Sequence, residues 1–443
     1  MFLSKPFKIG EDGHLKIGGC DSVTLAEIYG TPLYVMDEGI IRENCRKYKA
    51  ALERHYGGKG IVLFAGKAFC TAAMCRIAAQ EGLGMDAVSG GEIFTAMKAG
   101  FPPDRIFFHG NNKTAEEIRY ALKNGIGRYV IDNREELIMM EDLAAEKGVV
   151  AQVAFRIKPG IEAHTHDYIQ TGRTDSKFGM GLEDGEALDI IAAASKMKHI
   201  AIKGIHCHIG SQIFELRPFE LAAGVMMKLA VEIKDRTGMV IQEINLGGGY
   251  GIRYTDRDDP LEYEEYIAAV SGIIGSASEN AGIDKPDIIF EPGRSIAGPA
   301  GITLYRVGSV KEVRDIRKYV AVDGGMTDNP RYALYKAKYD AVIADRADAA
   351  SRAGGCETEK VTVAGRCCES GDLIGEDMEL APVKKGDILA ILATGAYNYS
   401  MSSNYNRLPR PPVVLVKDGK HRLIVKRETY EDLVRNDLIP DDL

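Results

Sequence analysis

Lys67 stands in the run FAGKAF, directly after an apolar stretch of strand length that begins at Ile61. A lone lysine in such a place is usually solvent-exposed. This one is flanked by Phe64, Ala65, Gly66, Ala68 and Phe69, which predict a mostly apolar surround. Desolvation disfavours the ammonium, and the neutral amine is the form that adds to a carbonyl. The run Gly247-Gly248-Gly249-Tyr250-Gly251 is a second candidate. A tight turn explains it as readily as a ligand does. Consecutive glycines let backbone N–H groups approach a phosphate, and a helix N-terminus following them would add its dipole. The spacing is not that of a dinucleotide fingerprint, and the Lys-Ser/Thr of a P-loop is missing, so neither NAD nor ATP is indicated.

Glu291 and Arg294 share the run EPGR at the end of another strand candidate. Surface carboxylates are common, but one that faces a pyridine nitrogen keeps it protonated and turns the ring into an electron sink. The planar fork of Arg294 suits a carboxylate or a phosphate. His206 and His208 are two apart and would share a face of a strand, as would His164 and His166. Zinc needs three or four converging ligands and the cysteines form no CxxC pair, so no metal is expected. An imidazole stacked on an aromatic cofactor, or a plain structural histidine, fits better. Cys367-Cys368 is the one conspicuous pair among eight cysteines; two buried structural thiols are its plain reading.

The elements that must position these groups follow from periodicity. Apolar runs of strand length begin near Ile61, Gly84, Ile106, Arg128 and Val149, about 22 residues apart. Helical spacing fills the gaps at Ala72 to Glu81, Glu92 to Ala99, Thr114 to Asn124 and Arg134 to Lys147, with Gly82, Gly100, Gly125 and Gly148 as stops. Three further strands are predicted at Ile202 to Cys207, Glu243 to Leu246 and Asp287 to Glu291. Eight strands in a βα series favour a closed (β/α)8 TIM barrel over an open doubly wound sheet. The C-terminal end of a barrel strand is where chemistry is placed. Lys67, Asp86 with Ser89-Gly90-Gly91, His109, Arg156, the His206 to Ser211 run, the glycine run and Glu291 with Arg294 would all lie on that one rim.

After about Gly301 the texture changes to short strands and turns (TLYRVGSVKEVR, KYVAVDGG, EKVTVAG, GDILAILATG, PPVVLVKDGKHRLIVKR), the pattern of an antiparallel β domain. At 443 residues the chain exceeds one ordinary core of roughly 250–300 residues, so two domains are expected. A hydrophobic share of 45% and a charged share of 27% fit a globular protein rather than a disordered one. The net charge of −8 does not favour nucleic acid or an anionic membrane. The start of the chain lacks the apolar run of a signal peptide and no stretch approaches a membrane span, which predicts a cytoplasmic location.

Together these residues resemble the alanine-racemase-like, fold-type III pyridoxal phosphate (PLP) enzymes, and within them the diaminopimelate decarboxylases. The likeness runs over essentially the whole chain, through FAGKAF, DAVSGGE, HGNNKT, FRIKPGIEAHTH, SKFG, HCHIGSQ, LGGGYG, EPGR, DGGMTDNPRYALY, RCCESGD and GAYNYSMSSNYN. HGNNKT, EAHTH, DNPRYALY and CCESGD favour the diaminopimelate branch over ornithine or arginine decarboxylases. The resemblance implies that Lys67 carries the cofactor covalently and that His208 stacks on its ring. It implies that Glu291 faces the pyridine nitrogen with Asp86 nearby, and that Ser211, Gly247, Gly248, Gly249 and Arg294 hold the phosphate or its surroundings. It gives Arg294, Arg331 and Tyr335 the substrate carboxylate, Glu369 the distal ammonium, and Tyr397 contacts to cofactor and substrate. Cys368 becomes the acid that protonates the substrate carbon after carbon dioxide leaves. Cys368 and Glu369 are implied to come from the partner subunit of a homodimer. The implied domains are a barrel over 36–298 and an all-β domain from 1–35 with 299–443. One departure is PRYALY, where the commoner pattern puts proline directly after the arginine; Arg331 and Tyr335 keep their spacing. The implied reaction converts meso-2,6-diaminopimelate to L-lysine and carbon dioxide, the last step of lysine biosynthesis. The rivals are the same fold acting on carboxynorspermidine, arginine or ornithine, an amino-acid racemase, and a non-catalytic homologue; the last would be expected to lack Lys67 or Cys368.

Overall fold

The computed structural model describes residues 7–161, 176–183, 185–350 and 358–443. His164 and His166 lie outside the described residues. The chain divides into two compact units. One is built from Arg42–Ile252 and Pro260–Ile296, the other from the chain up to Ile41, Arg253–Asp259 and Ala297–Leu443. Among the described residues no helix is long and apolar enough to cross a membrane.

Eight parallel strands close the first unit into a barrel: Gly60–Ala65, Gly84–Ala87, Ile106–Phe108, Arg128–Ile131, Ala151–Arg156, Ile200–His206, Glu243–Asn245 and Asp287–Phe290. Each pairs with the next along the chain, and the eighth returns to the first, with Ile288 opposite Gly60 and Phe290 opposite Val62. The expected barrel is thus the fold, in place of an open sheet. The helices Ala72–Gln80, Gly90–Lys98, Ala115–Lys123 and Arg134–Lys147 start where a short polar side chain takes an otherwise orphaned N–H. Thr71 accepts from Met74, Ser89 from Glu92 and Asn133 from Glu136, while Thr114 and Glu117 form a capping box. Gly148, left-handed at φ 69°, closes the last of these helices.

Parity along the strands decides what faces the barrel interior. Leu63, Phe107 and Ile289, from the first, third and eighth strands, form one buried cluster. The third strand borders neither of the others, so this contact crosses the closed interior. Side chains alternate along a strand. Two residues further toward the C-terminal rim, the same inward rows therefore bring Ala65, His109 and Glu291.

In the second unit a small antiparallel sheet (Phe7–Ile9, Leu15–Ile17, Cys20–Asp21) accompanies a nine-stranded sheet. The long strand Gly301–Val313 pairs over its first part with Leu33–Asp37 and Ile388–Ile391, and over its second with Arg317–Val322. Leu15, Ile17, Leu33, Val35, Ile302, Leu304, Val414 and Val416 belong to its core. The expectation of an antiparallel domain is corrected in two places. Val413–Lys417 runs parallel to Leu33–Asp37, and Glu359–Ala364 runs parallel to Arg317–Val322. Both pairs join strands far apart in the chain, and long connections can return to the end from which they started.

Candidate active site

Glu291 directly follows the eighth barrel strand and is 6% exposed. Its Oε1 accepts the Asn245 amide at 2.7 Å. His206 Nε2 lies 3.3 Å from Oε2. His109 Nε2 approaches Oε1 to 2.9 Å, out of line for a straight hydrogen bond. Burial alone would raise the carboxyl's pKa. The two imidazoles overcome burial and hold it well below the usual carboxylate range. His109 answers in the opposite sense: burial lowers its pKa, but Asp86 and Glu291 bring it above the ordinary imidazole value. Burial pushes His206 down to about 4, so it is the neutral ring of the two. Glu291 and His109 therefore form a buried carboxylate–imidazolium pair.

Asp86, third residue of the second strand, is buried 3.8 Å from His109. Burial raises its pKa against the pull of His109, and its Oδ1 meets no hydrogen-bond partner among the described residues. Lys67 sits in a 3-10 turn, Gly66–Ala68, just past the first strand. Here the apolar surround predicted from its neighbours is corrected. Phe64, Ala65, Ala68 and Phe69 are buried, but Lys67 itself is exposed. The flanking residues are taken up in the core, and the lysine is left open to solvent. Its charge bears on Asp86, Glu92 and His208. Glu92 accepts the Val88 N–H at 2.8 Å, and burial lifts its pKa to about 7. Arg156, ending the fifth strand, lies over the Phe178 ring at 4.4 Å, with Asp132 at 4.0 Å.

His206 and His208 do not share a face. His206 ends its strand and turns to Glu291, while His208, beyond the strand, accepts the Gly248 N–H through Nδ1 at 3.3 Å. Burial and the Lys67 ammonium push the His208 pKa well below the usual value, leaving a neutral ring. The glycine run is required by close approach. Gly247 and Gly249 have φ of 67° and 114°, and a Cβ on Gly248 would lie 2.2 Å from the Glu291 carbonyl oxygen. The Gly247 N–H donates to Asn245 Oδ1 at 2.9 Å, so the asparagine links the run to Glu291. The helix that follows the glycines in sequence does not start until Tyr263, so it does not open at the run. Arg294 donates to Ser211 Oγ at 2.8 Å.

The remaining predicted groups belong to the second unit. Arg331 opens the short helix Arg331–Tyr335 and is 7% exposed. Its guanidinium lies 4.8, 5.4 and 5.9 Å from the ring centres of Tyr254, Tyr339 and Tyr397 and donates to the Tyr339 hydroxyl. Among the described residues no carboxylate pairs with it. Tyr397 is held left-handed at φ 70°, and Tyr335 is half-buried. Cys368 and Glu369 are exposed on the loop between Glu359–Ala364 and Leu373–Leu380. Burial and the neighbouring Asp372 carboxylate push the Cys367 thiol up to about 12, which leaves Cys368 as the accessible thiol. The residues that sequence reasoning left unassigned are Asn245, His109 and His206 around Glu291, and Tyr254 and Tyr339 around Arg331. Their places at strand ends put His109 and His206 on the rim from the sequence alone, but their convergence with Asn245 on Glu291 depends on the register of the closed sheet.

An exposed amine, an ionised buried carboxylate, an Asp86 oxygen without a hydrogen bond among the described residues and a cradle that any Cβ would fill suit an aldehyde-bearing pyridinium with a phosphate. The fold and this rim place the chain among PLP enzymes. The family model for the pyridoxal-binding domain of pyridoxal-dependent decarboxylases matches residues 38–298. A diaminopimelate decarboxylase of Bacillus subtilis (strain 168) is 51% identical over 438 residues, covering 99% of this chain and 98% of that protein. The crystal structure of the diaminopimelate decarboxylase of M. jannaschii with L-lysine is 38% identical, with a TM-score of 0.92 and both chains fully covered. That of Helicobacter pylori with L-lysine is 33% identical at a TM-score of 0.85, covering 94% of this chain and 98% of that one. The chain belongs to the diaminopimelate decarboxylase family. It is a PLP-dependent carboxy-lyase.

Proposed function

We propose that the chain decarboxylates meso-2,6-diaminopimelate to L-lysine and carbon dioxide, the last step of lysine biosynthesis. The observation that carries this reading is the buried Arg331 guanidinium, which meets tyrosines but no carboxylate among the described residues, in a chain of this family. A buried cation stacked among tyrosines and lacking a carboxylate suits a ligand that brings one. Diaminopimelate has a second amino-carboxylate end; ornithine does not. A site that leaves such a group unpaired rejects the shorter substrate strongly.

When bound, PLP stores the electron pair released as the carboxylate leaves. Lys67 is the amine that holds the cofactor and later frees the product. Glu291, kept ionised by His109, holds a proton at the pyridine nitrogen. His208 offers a neutral ring face, which adds no like charge beside a cationic ring. The backbone of Gly247, Gly248 and Gly249 lets the phosphate approach, with Ser211 and Arg294 beside it; the Gly247 and Gly248 N–H groups already serve Asn245 and His208. Asp86 lies near the ring nitrogen. Arg331, Tyr335 and Arg294 take substrate carboxylate, Glu369 the distal ammonium, and Tyr397 touches cofactor and substrate. Cys368 gives its thiol proton to the carbon that has lost carbon dioxide. The working form is a cytoplasmic homodimer in which Cys368 and Glu369 serve the partner's site. The test is absorbance of the purified protein before and after adding meso-diaminopimelate, with product analysis against ornithine, arginine and carboxynorspermidine. Faster carbon dioxide release from any of the other three would overturn the substrate assignment.

A further inference from the structure

We propose that Asp372 is a positioning residue whose carboxylate ties together the two loops that lead to the substrate-contacting groups. The inference rests on the roles just given to Arg331, Cys368 and Glu369. Asp372 is 3% exposed. Its Oδ1 accepts the Met326 N–H at 2.6 Å, and its Oδ2 accepts the Cys367 N–H at 2.6 Å. Each oxygen thus holds a different loop. The first loop runs from Gly324 to Arg331, five residues beyond Met326. The second runs from Gly365 to Asp372 and presents Cys368 in the position after the held N–H.

The backbone of Asp372 fastens the second loop to itself. Its N–H donates to the Glu369 carbonyl at 3.1 Å, and its carbonyl accepts the Gly365 N–H at 2.8 Å. The Arg366 N–H donates across to the Gly324 carbonyl at 3.2 Å. The far side of the first loop is held by Asp328. It accepts the Gly325 N–H at 3.1 Å, and its carbonyl accepts the Tyr34 hydroxyl at 2.5 Å. Burying a carboxylate is costly unless donors replace its water. Charge-assisted bonds to backbone N–H groups are the strong kind, and here two of them come from separate loops. The space around the carboxylate is kept by glycine. A Cβ on Gly365 would lie 2.3 Å from both of its oxygens. A plain turn residue would need one oxygen and one loop.

Asp372→Asn sets an amide N–H against a backbone N–H. Gly365→Ala leaves the aspartate in place but displaces its carboxylate, and it remains informative if the first variant fails to fold. Both are examined as holoenzyme by hydrogen exchange of segments 324–331 and 365–372. Turnover of meso-diaminopimelate is normalised to cofactor-loaded sites by absorbance. Expected are faster exchange in both segments together and a kcat lowered about tenfold to a hundredfold, the scale of a roughly 1 Å misplacement. KM rises by about threefold or more as well, because Arg331 and Glu369 bind substrate, and cofactor absorbance is retained. Faster exchange in 365–372 alone, or a kcat within about twofold of the parent, overturns the tie. Cys368→Ala and Arg331→Ala are run beside them. If those two lose turnover while the Asp372 and Gly365 variants keep it, the tie alone falls. Parental turnover in the first two overturns the roles on which it rests, and the exchange data still decide whether the loops are coupled.

Discussion

Burial opposes the charge on Glu291, and the residues around it restore that charge. Asn245, His109 and His206 all converge on one carboxylate, and only His109 carries the matching charge. His109 titrates above its ordinary 6.5, so its contribution to stability is complete below that value and is lost as pH rises through the raised one. Glu291 titrates below its ordinary 4.5, so its contribution is complete above that value and is lost as pH falls through the lowered one. The pair is therefore most stabilising between those limits. His109→Gln should cost about 3 kcal/mol in that window, by leaving a buried carboxylate undercompensated, and should remove the loss on the alkaline side. Urea unfolding across pH measures both; an unchanged alkaline limb would show that His109 does not carry the charge. Lys67→Ala should lose the cofactor's protein-bound absorbance and reduce turnover on the order of a thousandfold or more. Normal turnover in that variant would end the assignment of the amine. Lys67 was legible as a candidate because it follows a strand, but its surroundings were not. Nearness in sequence to Phe64 and Phe69 says nothing of burial, since side chains alternate along the strand and the turn leaves the lysine exposed.

At the scale of elements, the first four barrel strands were legible because each is a short apolar run that leads into a capped helix start. Those signals are local, and Thr71, Ser89, Thr114 and Asn133 act within three residues of themselves. The convergence of His109, His206 and Asn245 on Glu291 was not legible, because it depends on register around a closed ring. Asn245 lies opposite His206 on one side and Ile289 on the other, a relation set by strands far apart in the chain. The two parallel pairings of the second unit escaped for the same reason. The glycine run, ambiguous in sequence, becomes specific once its neighbours are known. A Cβ on Gly249 would lie 2.5 Å from the Gly210 carbonyl oxygen, at a φ of 114° that side chains rarely adopt. Gly249→Ala is expected to weaken PLP binding by at least about tenfold, or 1.4 kcal/mol. Titrating apoprotein with PLP by absorbance measures it, and parental affinity would remove the run from the phosphate site. Thr114→Ala is the matching control on an exposed cap. It should cost about 1 kcal/mol in urea unfolding and leave PLP affinity unchanged.

For the whole molecule, the sharpest expectation concerns how chains combine. Lys67 belongs to the barrel unit and Cys368 to the other unit of the same chain. If Cys368 serves the partner's site, as proposed, the two groups of one chain never act on the same substrate. Lys67→Ala and Cys368→Ala homodimers are then each inactive. Mixed, unfolded and refolded together, half of the dimers are hybrids under random pairing in a two-fold assembly. In a hybrid, one site unites the defective lysine with the defective thiol and is dead. The other unites an intact Lys67 with an intact Cys368 and works. One working site in every second dimer gives about a quarter of the parental activity. If each chain instead supplied its own thiol, both sites of the hybrid would lack one group, and the mixture would stay as inactive as its components. The measurement is carbon dioxide release from the mixture against the two separate variants. A mixture no more active than its parts would place Cys368 with Lys67 of its own chain, or deny the dimer altogether, and sedimentation of the parental protein separates those two outcomes.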